Sequence, residues 1–307
     1  MRDHPGMVGD PTATRASGAP TEVDRIRLQT AVLDWYAAHG RVLVIRRSTD
    51  PYAIWIAETM SQQTQIGRVG EALPAFLDAF PDVPALAAAP VAELLRAWGG
   101  LGYPRRALAM RAAARDMVAR WDGRVPGTVE ELESLPGVGP YTARAVASTA
   151  FGVPVTALDV NARRVLGRVL GGASTGRSFQ STADELAPFH RSADWNHALM
   201  DLGATICRPS PDCLACPLRS MCAWVVGRPV SANAPARKAG VPFRDTNRYV
   251  RGRVLATLRD LPPGTWHLMG NETLSIDPVR IERALDELHH EGLLELDEHG
   301  RARLPLT

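Results

Sequence analysis

The sequence predicts a mainly α-helical protein with a small α+β unit at its C-terminal end, and three observations carry that prediction. Apolar residues recur at three- and four-residue spacing through a long series of segments between residues 23 and 226. Strictly alternating runs are nearly absent from the same span. Aromatic residues make up only 6% of the chain while Ala, Leu and Val are plentiful, which suits helices packed through small and aliphatic side chains.

Taken in order, residues 1–22 are rich in Gly, Pro, Thr and Asp and read as a disordered tail. Helices are expected over 24–39, 50–68, 71–80, 91–98, 105–121, 128–134, 141–151, 161–170, 179–187 and 194–205, each bounded by Gly or Pro punctuation. These make one body, 23–226. Residues 227–242 hold Pro229, Pro235 and Pro242 among small residues and read as a linker. The last unit, 243–307, shows a helix at 246–260, a turn at 261–265 and a helix at 277–291. Two short runs, 293–296 and 302–304, then flank a turn signal at 297–300. Helices followed by a hairpin give a winged-helix-like domain, which either recognises DNA or packs on the body.

Charge narrows the chemistry more than it names a partner. The net charge of +2 over 307 residues announces no polyanion, although one face can still be basic. Of the 35 basic residues only Lys238 is a lysine, so mechanisms that need a lysine amine in the body are excluded. No apolar run reaches membrane length and no signal-peptide core opens the chain, so a soluble, cytoplasmic protein is expected.

All four cysteines, Cys207, Cys213, Cys216 and Cys222, fall in one window with the spacing C-x5-C-x2-C-x5-C. Two disulfides among such close neighbours fit a cytosolic protein poorly. Structural zinc favours two separate knuckles with a longer insert. One compact loop closing a four-thiolate cage suits a cubane [4Fe-4S] cluster better, with Pro217 stiffening the exit. Arg208 and Arg219 in this loop either meet phosphates or are solvated surface charges.

Leu135-Pro136-Gly137-Val138-Gly139 joins a helix opened by the capping-box pair Thr128 and Glu131 to one starting near Pro140. Its glycines allow exposed amides aimed at an anion beside a helix N-terminus; a plain helix–helix turn is the alternative. Further on, Asp159 sits at a helix start, as an N-cap or as a carboxylate kept ionised by the helix dipole. Glu58 interrupts the apolar run 52–57 and shares a helix face with Ser61, Gln62 and Gln65. It is either an ordinary surface glutamate or a carboxyl held protonated by its surroundings. Two carboxylates in contrasting environments are what N-glycosidic cleavage requires, one to protonate the leaving base and one to stabilise the positive sugar.

With these motifs in place, residues 25–226 resemble the helix-hairpin-helix glycosylase superfamily that includes endonuclease III, and within it the MutY-type adenine glycosylases. The resemblance is carried by 58–65 (ETMSQQTQ), 98–103 (WGGLGY), 135–139, 158–161 (LDVN) and the four cysteines, in family order. The run 248–253 and Arg283-Ala284-Leu285 also resemble the tail of short actinobacterial MutY proteins. The resemblance implies a helix-hairpin-helix fold with a six-helix part at about 46–144 and a cluster part from 23–45 and 145–226. It implies that Glu58 is the acid, Asp159 the oxocarbenium stabiliser and Asn161 the residue orienting sugar or base. Gln62 and Gln63 would fill the gap left by a flipped nucleotide, while Leu135, Gly137, Val138, Gly139 and Arg41 join the DNA-binding set. Tyr141 stands where bifunctional relatives carry the attacking lysine, which implies hydrolysis without strand cleavage. The implied cofactor is a [4Fe-4S] cluster. The implied partner is double-stranded DNA with a mismatched or oxidised base pair, bound by a monomer.

The chain departs from the family at several places. Ile45 replaces the Trp that flanks the adenine pocket, and Ser61 stands where Leu is usual. Val160 replaces a common Gly, Pro104 a frequent second Tyr, and the first cysteine spacing is one residue short. Excision of thymine or uracil from mismatches with guanine is therefore the alternative activity, and a noncatalytic DNA-binding relative the alternative class. The Nudix-like domain of long relatives is not expected.

Overall fold

A computed structural model describes residues 21–171, 176–226, 241–270 and 274–306. Most of the tail and of the linker expected from the sequence lies outside the described residues, as does Lys238. Helix α1 (Glu22–His39) is capped by Thr21, so it begins inside the stretch expected to be unstructured. A 3-10 turn, Val44–Arg46, leads to α2 (Pro51–Ser61), whose cap Asp50 accepts from the amides of Tyr52 and Ala53 while Pro51 opens the first turn.

The single helix expected over 50–68 is two. After Ser61 the chain turns through Gln62–Gln65, with Gln63 in the left-handed region at φ 55°, and α3 (Ile66–Ala79) starts afresh. Arg106 explains the break. Its Nη1 donates to the carbonyls of Thr59 and Met60 at 2.9 and 3.0 Å, and its Nη2 to Thr64 Oγ1 and the carbonyl of Gly102 at 2.9 and 3.0 Å. The guanidinium thereby pairs the Met60 carbonyl and adds to the bond that the Thr59 carbonyl accepts from the Gln62 amide at 3.4 Å.

Next come α4 (Val83–Ala88), which the periodicity did not single out, α5 (Val91–Trp98), α6 (Arg105–Trp121) and α7 (Val129–Glu133). The expected capping box of Thr128 and Glu131 is present on α7. Helices α8 (Pro140–Phe151) and α9 (Val160–Leu170) each end on a left-handed glycine, Gly152 and Gly171. The body closes with α10 (Gly176–Glu185), α11 (Ser192–Thr205) and the short α12 (Ala223–Val226).

The C-terminal unit has α13 (Asn247–Asp260), α14 (Pro278–His290) and three short strands, β1 (His267–Leu268), β2 (Glu295–Leu296) and β3 (Arg301–Arg303). They form an antiparallel sheet in the order β1-β3-β2, with Ala302 paired to His267 on one side and Leu296 on the other. The sequence pointed to the β2–β3 hairpin but not to β1. This unit packs on the body. Val254, Leu255 and Leu258 share a core with Val91, Ala92 and Leu95 of α5, and Arg259 donates to the carbonyl of Gly99 at 2.5 Å.

Two further cores organise the body. One gathers α2 through α8 around the fully buried Trp55, Phe76, Leu86 and Leu132. The other gathers α1 with α9 through α12 around Val32, Leu166, Trp195 and Leu199. The site described next lies along the seam between them. Among the described residues no helix is long and apolar enough to cross a membrane.

Candidate active site and nucleic-acid interface

One pocket draws its wall from both cores. It is lined by Arg41, Leu43, Ile45 and Arg46 of the N-terminal segment, Ile54, Glu58 and Ser61 of α2, Ile66, Tyr141 and Thr149, and Asp159, Asn161, His197 and Met200. The four residues the sequence nominated for chemistry, Glu58, Tyr141, Asp159 and Asn161, are therefore in one place. Ile45 and Ser61, the two departures from the family pattern, are part of the same wall.

Glu58 ends an otherwise buried apolar stretch of α2, so its carboxyl is carried into the seam. Tyr141 Oη donates to its Oε2 at 3.2 Å. Burial raises the Glu58 pKa above the usual carboxylate range, and the charge of Asp159 adds to the rise. The Tyr141 hydrogen bond and Arg46 act against it without cancelling it. The Tyr141 phenol is itself pushed well up, by burial first and by the charge of Glu58 second, so it is held as a neutral donor.

Asp159 occupies the N-cap of α9, and both expected roles meet in it. Its Oδ1 accepts from the amides of Asn161 and Ala162 at 2.9 and 2.6 Å, and its Oδ2 from Asn161 Nδ2 at 2.9 Å. Capping is thus the means by which the carboxylate is aimed at the pocket, with the positive end of the helix dipole behind it. Asn161 is fixed from the other side by Arg164 Nη2 at 2.7 Å. Close approach of α9 to α11 depends on Gly203, where a Cβ would lie 2.5 Å from Asn161 Cβ.

An ion network that sequence reasoning missed completes the wall. Asp201 of α11 is fully buried and receives Arg46 Nη1 and Nη2, both at 2.9 Å, together with Arg41 N at 2.9 Å and Nε at 2.7 Å. Arg41, nominated for DNA binding, is thus committed to Asp201 while still 38% exposed. The available signal was an acidic residue in the middle of the apolar run of α11, the same signal that singled out Glu58.

The residues nominated for the duplex lie close to the pocket. Gln62 is tethered to Thr142 Oγ1 at 3.0 Å, whereas Gln63 is exposed at the tip of the α2–α3 turn. In the hairpin between α7 and α8, Leu135 and Val138 bury their side chains in the core, so only their backbone faces outward chemistry. Gly137 and Gly139 are exposed. Gly137 has φ 76°, and a Cβ there would come within 2.7 Å of Ala109 Cβ. A second cavity opens between this hairpin, Gln62 and the start of α6, with Arg105 and Arg106 on its wall.

All four cysteines are free thiols and line one cavity with Ile206, Trp224 and Val225. Burial raises the Cys216 and Cys222 pKa values, and the neighbouring sulfurs add to the rise, so the thiols feel one another. Arg168 Nη1 reaches Cys207 Sγ at 3.3 Å. Among the described residues no three ligand side chains converge on a point suited to a single ion. Four thiols lining one apolar cavity are a soft donor set of the kind that holds a thiolate-bound metal centre.

Comparison with known proteins agrees with this geometry. The family model for the HhH-GPD superfamily base excision DNA repair proteins matches residues 56–188. An adenine DNA glycosylase of Mycolicibacterium smegmatis is 39% identical over 280 residues, covering 89% of this chain and 94% of that protein. One from Mycobacterium tuberculosis is 38% identical over 285 residues, covering 90% and 93%. Among solved structures, a thermostable thymine-DNA glycosylase superposes with a TM-score of 0.62 at 29% identity, covering 66% of this chain and 96% of that one. An endonuclease III bound to DNA, at 24% identity and a TM-score of 0.56, shares the fold. With relatives matched over nearly their whole length and both carboxylates in one pocket, the chain belongs to the helix-hairpin-helix base excision DNA repair superfamily and, within it, to the MutY-type adenine DNA glycosylases.

Proposed function

We propose that this protein is a monofunctional DNA N-glycosylase that removes adenine mispaired with 8-oxoguanine or guanine and leaves an abasic site. The observation that carries the reading is the pairing of a carboxyl with a raised pKa, Glu58, and a helix-capping carboxylate, Asp159, in one pocket. In this reading Glu58 gives its proton to a ring nitrogen of the extruded adenine, and the C–N bond breaks with its electron pair going to the base. Asp159 faces the positive sugar that remains, and a water attacks the anomeric carbon, returning a proton to Glu58. Tyr141 is a neutral phenol and none of the described residues is a lysine, so in this reading no Schiff base forms and the strand stays intact.

Double-stranded DNA is the partner. The exposed Gly137 and Gly139 and the N-terminus of α8 suit a phosphate, and Gln63 at the α2–α3 turn suits the space vacated by a flipped nucleotide. A [4Fe-4S] cluster held by Cys207, Cys213, Cys216 and Cys222 would cross-link the loop that follows α11, a structural contribution only. Iron analysis of purified protein is expected to give about four irons per chain. Zinc in their place would overturn the cluster assignment.

The likeness to a thymine-DNA glycosylase favours one second reading, excision of thymine or uracil opposite guanine. Single-turnover assays on A·8-oxoG, A·G, T·G and U·G duplexes separate the two. Release of adenine from the first two, with an unbroken strand, supports the proposal. Release of a pyrimidine alone overturns it.

A further inference from the structure

The C-terminal unit meets the body beside the 98–103 run, and the junction gathers positive charge. Tyr103, the last residue of that run, is held in the left-handed region at φ 48°. Two guanidinium groups lie over its ring: Arg106 of α6 at 5.6 Å from the centroid, and Arg248 in the first turn of α13 at 4.8 Å. Arg106 is committed to backbone carbonyls and Thr64, whereas Arg248 is exposed. Arg68 joins the same loop through a bond to the Gly100 carbonyl, and Arg105 follows Tyr103 by two residues. Both are exposed, and among the described residues Arg68, Arg105 and Arg248 have no salt-bridge partner.

Docking fixes where this cluster sits. At the other end of α13, Arg259 donates to the Gly99 carbonyl at 2.5 Å, and Arg96 of α5 reaches the carbonyls of Arg259 and Leu261 at 3.3 and 3.1 Å. The helix is thus anchored along the body. On the other side of the loop, Thr64 Oγ1 donates to the Leu101 carbonyl at 3.2 Å, which ties it to the α2–α3 turn that carries Gln63. Arg248 therefore continues the surface proposed for the duplex.

The rest of the unit has the opposite character. In helix-turn-helix proteins the second helix enters the groove, which here would be α14. Arg283 of α14 is paired with Glu287, and in the hairpin Arg301 is paired with Asp297 and Arg303 with Glu295. Arg280 is turned back onto the carbonyls of Arg244 and Thr246, while Glu282 and Asp286 stay exposed. Phosphates are repelled by such a face and drawn to the unpaired guanidinium groups at the junction.

Resting on the reading of the chain as a DNA glycosylase, we infer that Arg248, together with Arg68 and Arg105, contacts the duplex backbone, so that the C-terminal unit binds DNA through the start of α13 and not through α14. Phosphate contacts of this kind hold the duplex in register without reading its sequence.

The test is equilibrium binding of the full chain to an undamaged duplex, which offers no base to excise, over a range of salt concentrations. Each phosphate contact contributes about 0.9 to the slope of log K against log salt. Arg248→Met keeps the side-chain stem and removes the charge. Its slope is expected to be shallower by about 0.9, and its affinity at about 0.1 M salt lower by about 5- to 10-fold. Arg248→Lys restores the charge and is expected to recover most of the slope, whereas Arg283→Gln on α14 is expected to leave it unchanged. An unaltered slope in Arg248→Met overturns the inference. So does a loss that Arg248→Lys fails to recover, which marks a packing defect, and so does an equal loss in Arg283→Gln, which moves the contact to α14. An unchanged protein that does not bind the duplex overturns the glycosylase reading and this inference with it. One that binds with a slope indifferent to residue 248 overturns the inference alone.

Discussion

The phenol of Tyr141 donates to Glu58 Oε2 at 3.2 Å and reaches Met200 Sδ at 3.8 Å on its other side, so one ring on α8 touches both α2 and α11. The Glu58 bond favours the ionised carboxyl and moderates the rise that burial causes. Removing it in Tyr141→Phe is expected to raise the Glu58 pKa further. The alkaline limb of the pH–rate profile should then move to higher pH, because the acid stays protonated longer. A limb that stays put or moves down contradicts the assigned coupling.

Glu58→Gln is expected to lower adenine release by at least about 100-fold, since a general acid contributes on the order of 10²–10⁴. Its effect on stability runs the other way. Because the folded pKa of Glu58 is raised above its usual value of 4.5, the favourable contribution of the protonated side chain is fully present below that value. It is lost as the pH rises through the folded pKa. The glutamine variant should therefore melt above the parent at neutral pH, with the gap closing toward pH 4. Melting curves over that range check the sign.

Asp201→Ala leaves Arg46, only 11% exposed, without its carboxylate, and Arg41 loses the same partner. Breaking a buried pair from one side costs about 3–5 kcal/mol, and denaturant unfolding should show a loss of that order. Hydrogen bonds from Arg46 and Arg41 hold the Asp201 pKa below 3.8 although burial pushes it up. Its contribution to stability is thus kept at neutral pH and lost only as the pH falls through that depressed value. The gap between parent and variant should accordingly shrink in strong acid.

Gly203→Ala places a methyl group 2.5 Å from Asn161 Cβ and 2.9 Å from the backbone of the same residue. Overpacking of this kind costs about 1–3 kcal/mol. The larger effect is expected on activity, because the displaced segment is the start of α9 that aims Asp159. Single-turnover rates at saturating DNA should drop by about tenfold or more even where the variant remains folded, given how steeply misplacement of a reacting group lowers rates. A normal rate in the folded variant would show that the position of α9 is not critical.

Much of the site could be found along the chain because its residues break a local pattern. Glu58 stands out as a carboxyl in an apolar run, Asp159 as an acidic residue at a helix start, and the cysteines as a cluster of reactive side chains in a few turns. The helices were legible for a related reason, since apolar periodicity and capping residues act within a few positions of one another. The exceptions mark long-range causes. The helix expected over 50–68 is broken by Arg106, about 45 residues away, through bonds to Thr59, Met60 and Thr64. Strand β1 exists because it pairs with β3, and two residues of strand carry no periodicity to detect.

From its sequence alone the chain determined a helical body with a hairpin and a thiol loop, a single lysine, and two carboxyls suited to opposite protonation states. Only the tertiary structure decided that these carboxyls share a pocket, that Arg41 and Arg46 converge on Asp201 some 155–160 residues away, and that His197 faces the same space. Residue patterns record interactions between neighbours, whereas a pocket is made by elements brought together when their cores pack, and burial then sets the charge of each group within it.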